Sequence, residues 1–188
     1  MKTLIVNLFA GSSAGKSSNA YSITGILKMM GVECEYVPEF AKDLCFDGRE
    51  KILDIQPYVF GKQLKKITCV NEKTNVIICD SPLLLSAIYD KENDENFESY
   101  VVKTFNKFKN YNIFLNRGEI EFSSVGRVDS DKEEQLKFDE EIKAFLSKHK
   151  IPYVEEVNIK GLDQLENCKR IAEDIISRLV VEKLWEGK

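Results

Sequence analysis

The chain has 188 residues, 43% hydrophobic and 31% charged, with a formal net charge of −4. That length suits one domain over residues 1–188 with a sizeable core, and the composition excludes a disordered or membrane-embedded chain. The acidic balance gives no support to duplex nucleic-acid binding, which favours basic proteins.

Cys34, Cys45, Cys69, Cys79 and Cys168 are scattered, with no C-x-x-C pair, and His149 is the single histidine. A structural zinc site is therefore not expected, and reduced, mostly buried thiols in the cytoplasm are. The N-terminal apolar run is only about six residues, too short for a signal-peptide core or a membrane span.

Residues 3–9 read as a central strand, apolar on both faces. It runs into Ala10-Gly11-Ser12-Ser13-Ala14-Gly15-Lys16-Ser17-Ser18 and then a helix over 16–30 stopped by Gly31. Strand, glycine-rich turn and helix start carrying Lys and Ser are the parts of a phosphate-binding loop, close to G-x-x-x-x-G-K-[ST]. Amides at a helix start have no intrahelical partner and suit an anion. Lys16 is expected on the phosphates and the Ser17 hydroxyl on Mg²⁺. Ala10 stands where the pattern has its first glycine, and Gly11 is the expected substitute for the tight turn.

Residues 33–37 read as a second strand ended by Pro38, which sets Glu39 at a strand's carboxyl end, where open α/β sheets bind ligands. A short helix over 40–47 and a helix from Gln56 to Cys69 follow. Gln56, Tyr58 and Gln63 are polar candidates there, since an amide pairs in both directions and a tyrosine ring stacks. Residues 75–79 form a third strand followed by Asp80, an acid placed to hold Mg²⁺. Ser81-Pro82 starts an apolar helix, and Asp90 to Asn96 reads as loop. A helix over 97–109 and a strand over 111–115 lead to Asn116 and Arg117.

Segment 117–133 holds two glycines and two arginines between a strand and a charged helix. Its expected role is a lid that excludes water and supplies Arg127, with Arg117 a second cation, because the guanidinium fork matches phosphate. A helix over 131–148, a strand over 152–157 whose Glu155 and Glu156 argue for an edge or a carboxyl end, and a helix over 161–183 complete the chain. His149 reads as a helix C-terminal residue. Five short strands alternating with helices make a doubly wound α/β domain.

Phe9 to Ser18, Val37 to Asp43, Gln56 to Leu64, Asp80 to Leu84 and Gly126-Arg127 together resemble the small P-loop kinases of the nucleoside and nucleotide kinase group. Within that group the chain is similar to the AAA-type ATP-binding proteins of phages and bacteria that resemble the ribosylnicotinamide kinase domain of the bacterial NAD regulator. The resemblance implies a P-loop NTPase fold with a parallel five-stranded sheet in the order 2-3-1-4-5, helices on both faces and a lid. It implies ATP and Mg²⁺ as cofactors, with residues 11–18 around the nucleotide and Ser17 and Asp80 at the metal. It further implies Lys16, Glu39, Asp80 and Arg127 in catalysis, and Glu39, Gln56, Tyr58 and Arg117 at the acceptor. Ser81 departs from deoxynucleoside kinases, which carry Arg after the acid.

The expected partner is a small nucleoside-like or nucleotide acceptor, with nucleic acid not favoured, no membrane, and a homodimer left open. One rival is a polynucleotide 5′-kinase using Lys62, Lys65, Lys66 and Lys73 as a basic groove. The other is a non-catalytic ATP-binding switch.

Overall fold

The computed structural model describes residues 2–118, 132–158 and 161–185. Five parallel strands form one sheet in the order β2-β3-β1-β4-β5. They are β1 (Leu4–Phe9), β2 (Cys34–Val37), β3 (Val76–Cys79), β4 (Lys109–Asn116) and β5 (Val154–Val157). The expected order is therefore the observed one.

Every β1 residue is buried. Alternate side chains of a strand point to opposite faces, and both faces of this one are covered. Leu4, Val6 and Leu8 pack with Ala20, Ile23 and Leu27 of α1 (Lys16–Met29) and with Ile171, Ile175 and Leu179 of α7 (Leu162–Val181). Ile5 and Phe9 face the other way. They pack with residues of α3 (Gln56–Val70), α4 (Leu85–Ile88), α5 (Glu95–Phe105) and α6 (Lys132–Lys148). The remaining helix, α2 (Phe40–Phe46), is followed by a short 3-10 helix over Glu50–Asp54.

Most element ends shift by one or two residues from the sequence reading, and two places differ by more. The helix after Pro82 is only one turn, Leu85–Ile88. Strand β4 begins at Lys109, and α5 stops at Phe105. The Asn110 amide explains the second difference. It donates to the carbonyls of Phe105 and Phe108, drawing off acceptors that a longer helix would use. Asn110 and Asn112 also accept from Asn7 at 3.0 Å each, so the polar residue in the middle of β1 is satisfied.

Strand β5 pairs only with β4, as its two glutamates suggested. No helix of the described residues is long and apolar enough to cross a membrane. The carboxyl ends of the strands deliver the loop after β1, Glu39 after β2, Asp80 after β3, Arg117 after β4 and Asn158 after β5.

Candidate functional site

The turn after β1 bends through two left-handed residues, Ser13 (φ 62) and Gly15 (φ 75). Alternation of this kind turns successive amides into one concavity, a nest for anionic oxygens. Gly15 is the cap of α1, and the first amide bonded back is that of Asn19, to the Gly15 carbonyl at 3.0 Å. The Lys16 ammonium donates to the carbonyls of Ala10 (2.8 Å) and Gly11 (2.7 Å).

The departure at position 10 brings no backbone strain. Ala10 is buried in the core beneath the loop and does not have a positive φ. Gly11 was expected to supply the tight turn, and this needs correction, because its φ is not positive either. Gly11 instead leaves room for the ends of three side chains. A Cβ there would lie 2.6 Å from Arg117 Nη2, 2.9 Å from Gln135 Oε1 and 3.1 Å from Asp139 Oδ1. On the other side of the loop, Asn158 donates to the Ala14 carbonyl (2.5 Å) and accepts from Asn19 (2.6 Å). The end of β5 is thereby tied to the loop.

The corner between β1 and β3 is a metal-type arrangement. Ser17 Oγ donates to Asp80 Oδ2 at 2.6 Å, and Tyr36 of β2 donates to the same oxygen at 3.0 Å. Asp80 is buried, and its Oδ1 has no hydrogen-bond partner among the described residues. A buried carboxylate oxygen without a donor is costly unless a cation uses it. Hard oxygens from a carboxylate and a hydroxyl are the donors Mg²⁺ takes, so the residues fit that ion. Burial, and then the charge and hydrogen bond of Asp80, push the Tyr36 phenol well up, so it stays a proton donor to the carboxylate.

In front of this corner opens a cavity of about 640 Å³. The loop side is lined by Ser12, Ser13, Ala14, Lys16 and Ser17, and the far wall by Glu39, Lys42, Glu50, Lys51, Asp54 and Gln56. Gln56 is buried, and its amide N–H₂ donates to the Leu53 carbonyl at 2.8 Å, which fixes the amide's orientation. Its Oε1 is buried and has no hydrogen-bond partner among the described residues, which leaves an unpaired acceptor beside the cavity. Glu39 caps α2, and with Glu50 it adds to the burial that pushes the Cys45 thiol up.

Other candidates stand elsewhere. Gly11, Gly15 and Ser18 do not line the cavity, and neither does Asp80, which reaches it through Ser17. Tyr58 is also off the wall, edge-on to Phe40 at 5.8 Å with Lys62 over its ring. Gln63 is buried, accepts from the Phe40 amide and donates to Cys79 Sγ, which makes it a brace for α2. Arg117, expected at the acceptor, is buried and off the cavity wall. It donates to Asp139 Oδ2 at 2.6 Å and to the Ser12 carbonyl. Arg127 and most of the 117–133 segment lie outside the described residues.

Tyr36, Gln135, Asp139 and Asn158 escaped the sequence reading. No spacing marks them, since each meets the loop or Asp80 only through sheet order and the position of α6.

The chain matches a family described as AAA domain over residues 5–161. Among curated proteins none matches. Similar solved structures include deoxyadenosine kinase from M. mycoides with products dCMP and a flexible dCDP bound. It has 18% identity and a TM-score of 0.56, over 92% of this chain and 99% of that one. The same enzyme with bound dCTP gives 19% and 0.51 over the same shares. Shikimate kinase from Bacteroides thetaiotaomicron gives 14% and 0.51 over 93% and 98%. At these identities the likeness is one of fold. The phosphate loop lies inside the matched span, and the chain belongs to the AAA domain family.

Proposed function

We propose that the chain is an ATP- and Mg²⁺-dependent phosphotransferase acting on a small nucleoside-like or nucleotide acceptor. The observation that carries this reading is the sharing of one cavity by Lys16 and Ser17 on the loop side and Glu39 and Gln56 on the far wall. A donor phosphate at the loop and an acceptor at the wall would then stand face to face.

The bond from the γ-phosphorus to the bridging oxygen breaks as the bond to the acceptor oxygen forms, and ADP leaves with the electron pair. Such a transfer asks the protein mainly for position and charge. Loop amides and Lys16 hold the phosphates. Ser17 and Asp80 would hold Mg²⁺, which when bound neutralises charge on the phosphate oxygens. For a hydroxyl acceptor, Glu39 takes the proton. Gln56 Oε1 orients the acceptor through an N–H or O–H. Arg127, outside the described residues, is the candidate for a further positive charge.

The kinase folds above support this class. The resemblance to the ribosylnicotinamide kinase domain places that nucleoside among the first acceptors to try. Lys62, Lys65, Lys66 and Lys73 are absent from the cavity lining, which weighs against the polynucleotide reading.

The test is a Mg-ATP transfer panel read by mass spectrometry, covering ribosylnicotinamide, nucleosides, monophosphates and a 5′-hydroxyl oligonucleotide. A phosphorylated product that disappears with Lys16→Ala supports the proposal. A chain that binds ATP and phosphorylates nothing in the panel turns the reading toward an ATP-binding switch.

A further inference from the structure

Two amides of the phosphate loop are committed to a distant helix. Gly11 N–H donates to Asp139 Oδ1 at 2.6 Å, and Ser12 N–H donates to Gln135 Oε1 at 2.6 Å. Both acceptors sit on one face of α6, four residues apart. Arg117, at the end of β4, closes the arrangement. Its Nε donates to Asp139 Oδ2 at 2.6 Å, its Nη1 to the Ser12 carbonyl and its Nη2 to the Gln135 carbonyl at 3.4 Å.

We propose that Arg117, Gln135 and Asp139 are positioning residues that clamp the shoulder of the phosphate loop and thereby set its affinity for the nucleotide. The proposal rests on the loop's reading as a nucleotide site and is independent of any acceptor.

The energetics single this cluster out. Arg117 and Asp139 side chains are only 8% and 10% exposed, and burying such a pair is a poor way to gain stability. A well-packed apolar pair would serve the core at least as well. The ionic pair has a different use here. Each Asp139 oxygen takes one donor, one from the loop backbone and one from Arg117. Asp139 can therefore fix the Gly11 amide while Arg117 cancels its charge. An uncompensated carboxylate beside bound phosphates would repel them.

Fixing the amides and carbonyl of residues 11 and 12 narrows the backbone paths open to the left-handed positions at 13 and 15. A loop held in its binding shape has less ordering to do when the anion arrives, and that difference appears as affinity. Gly11 belongs to the same device, since any side chain there would enter the clamp.

The experiment measures Mg-ATP affinity by calorimetry for the full chain and for Gln135→Ala, Asp139→Ala and Arg117→Lys, with thermal midpoints recorded alongside. Lysine keeps the charge and loses the fork. The expected result, at a temperature where every variant is folded, is a Kd raised about tenfold for Asp139→Ala and Arg117→Lys, with a smaller rise for Gln135→Ala. Where transfer is measurable, KM for ATP rises and KM for the acceptor stays. Variants with lower midpoints and a Kd within about twofold of the parent chain would reduce the cluster to a packing role. Should Asp139→Ala fail to fold, Arg117→Lys decides, because Gln135 also lines the cavity. A parent chain that binds Mg-ATP and transfers nothing ends the phosphotransferase reading and leaves the clamp standing. A parent chain without nucleotide affinity overturns the clamp.

Discussion

Ser17 and Asp80, separated by 63 positions in sequence, share a 2.6 Å hydrogen bond that joins the first turn of α1 to the end of β3. Because Ser17 and Tyr36 both donate to Oδ2, the carboxylate is held with Oδ1 unpartnered. Tyr36 thus shares with Ser17 the orientation of this carboxylate, and its hydroxyl can be removed without changing the ring. Tyr36→Phe is expected to raise the Mg²⁺ concentration for half-maximal ATP binding by about ten- to a hundredfold, the worth of one hydrogen bond to a charged group. A Mg²⁺ titration of nucleotide binding reads this directly. An unchanged midpoint would make Tyr36 a bystander.

Glu39 is the acid on the cavity wall that stands at the mouth of β2. If it takes the proton of a hydroxyl acceptor, Glu39→Gln keeps the shape and removes the base. Turnover is then expected to fall about a hundredfold or more, with KM for ATP unchanged. A parallel rise in KM for ATP would place Glu39 on the nucleotide instead. Full turnover in the variant would point to an acceptor that already carries a phosphate, for which no base is needed.

Gly118 follows the clamp arginine and adopts φ +56. A side chain there would be strained by the backbone and would also run into the Asn158 carbonyl. Asn158 in turn holds the Ala14 carbonyl of the phosphate loop. Gly118→Ala is therefore expected to cost about 2 kcal/mol or more of folding stability. It should also weaken nucleotide binding in the folded fraction. Urea unfolding with a parallel calorimetric titration separates the two effects. A variant as stable as the parent would mean that β5 shifts freely against β4.

The parts of the site that could be seen in the sequence are the ones made by neighbours along the chain. Strand, loop and helix from Leu4 to Met29 are contiguous, so their pattern survives in one short window. Asp80 was visible because an apolar run ends just before it. Glu39 was visible for the same reason, once Pro38 closed the strand.

Contacts across the sheet left no such mark. Asp139 meets Gly11 across 128 positions, Asn158 meets Ala14 across 144, and Tyr36 meets Asp80 across 44. Those meetings depend on strand order and on where α6 packs, and no periodicity encodes them. Arg117 shows the consequence. Its place at the end of β4 was legible, but its partners were on a helix whose position was not.

Two buried thiols make the fold sensitive to alkali. Burial is the main cause that pushes Cys34 on β2 and Cys79 on β3 from the ordinary 9.0 up to about 12. The unfolded chain releases these protons near 9.0, whereas the folded chain holds them until about 12. A pKa raised by folding gives stability that is complete below the unfolded value and is lost as pH climbs toward the folded one. Each thiol should thus remove about 1.4 kcal/mol of stability per pH unit across that window. Tyr111, pushed up to about 12 chiefly by burial, acts with the same sign at the alkaline end. Urea midpoints at rising pH are expected to fall in the parent chain and to fall less steeply in Cys34→Ala and Cys79→Ala, with the double variant the flattest. An equal slope in all four chains would assign the alkaline loss to other groups.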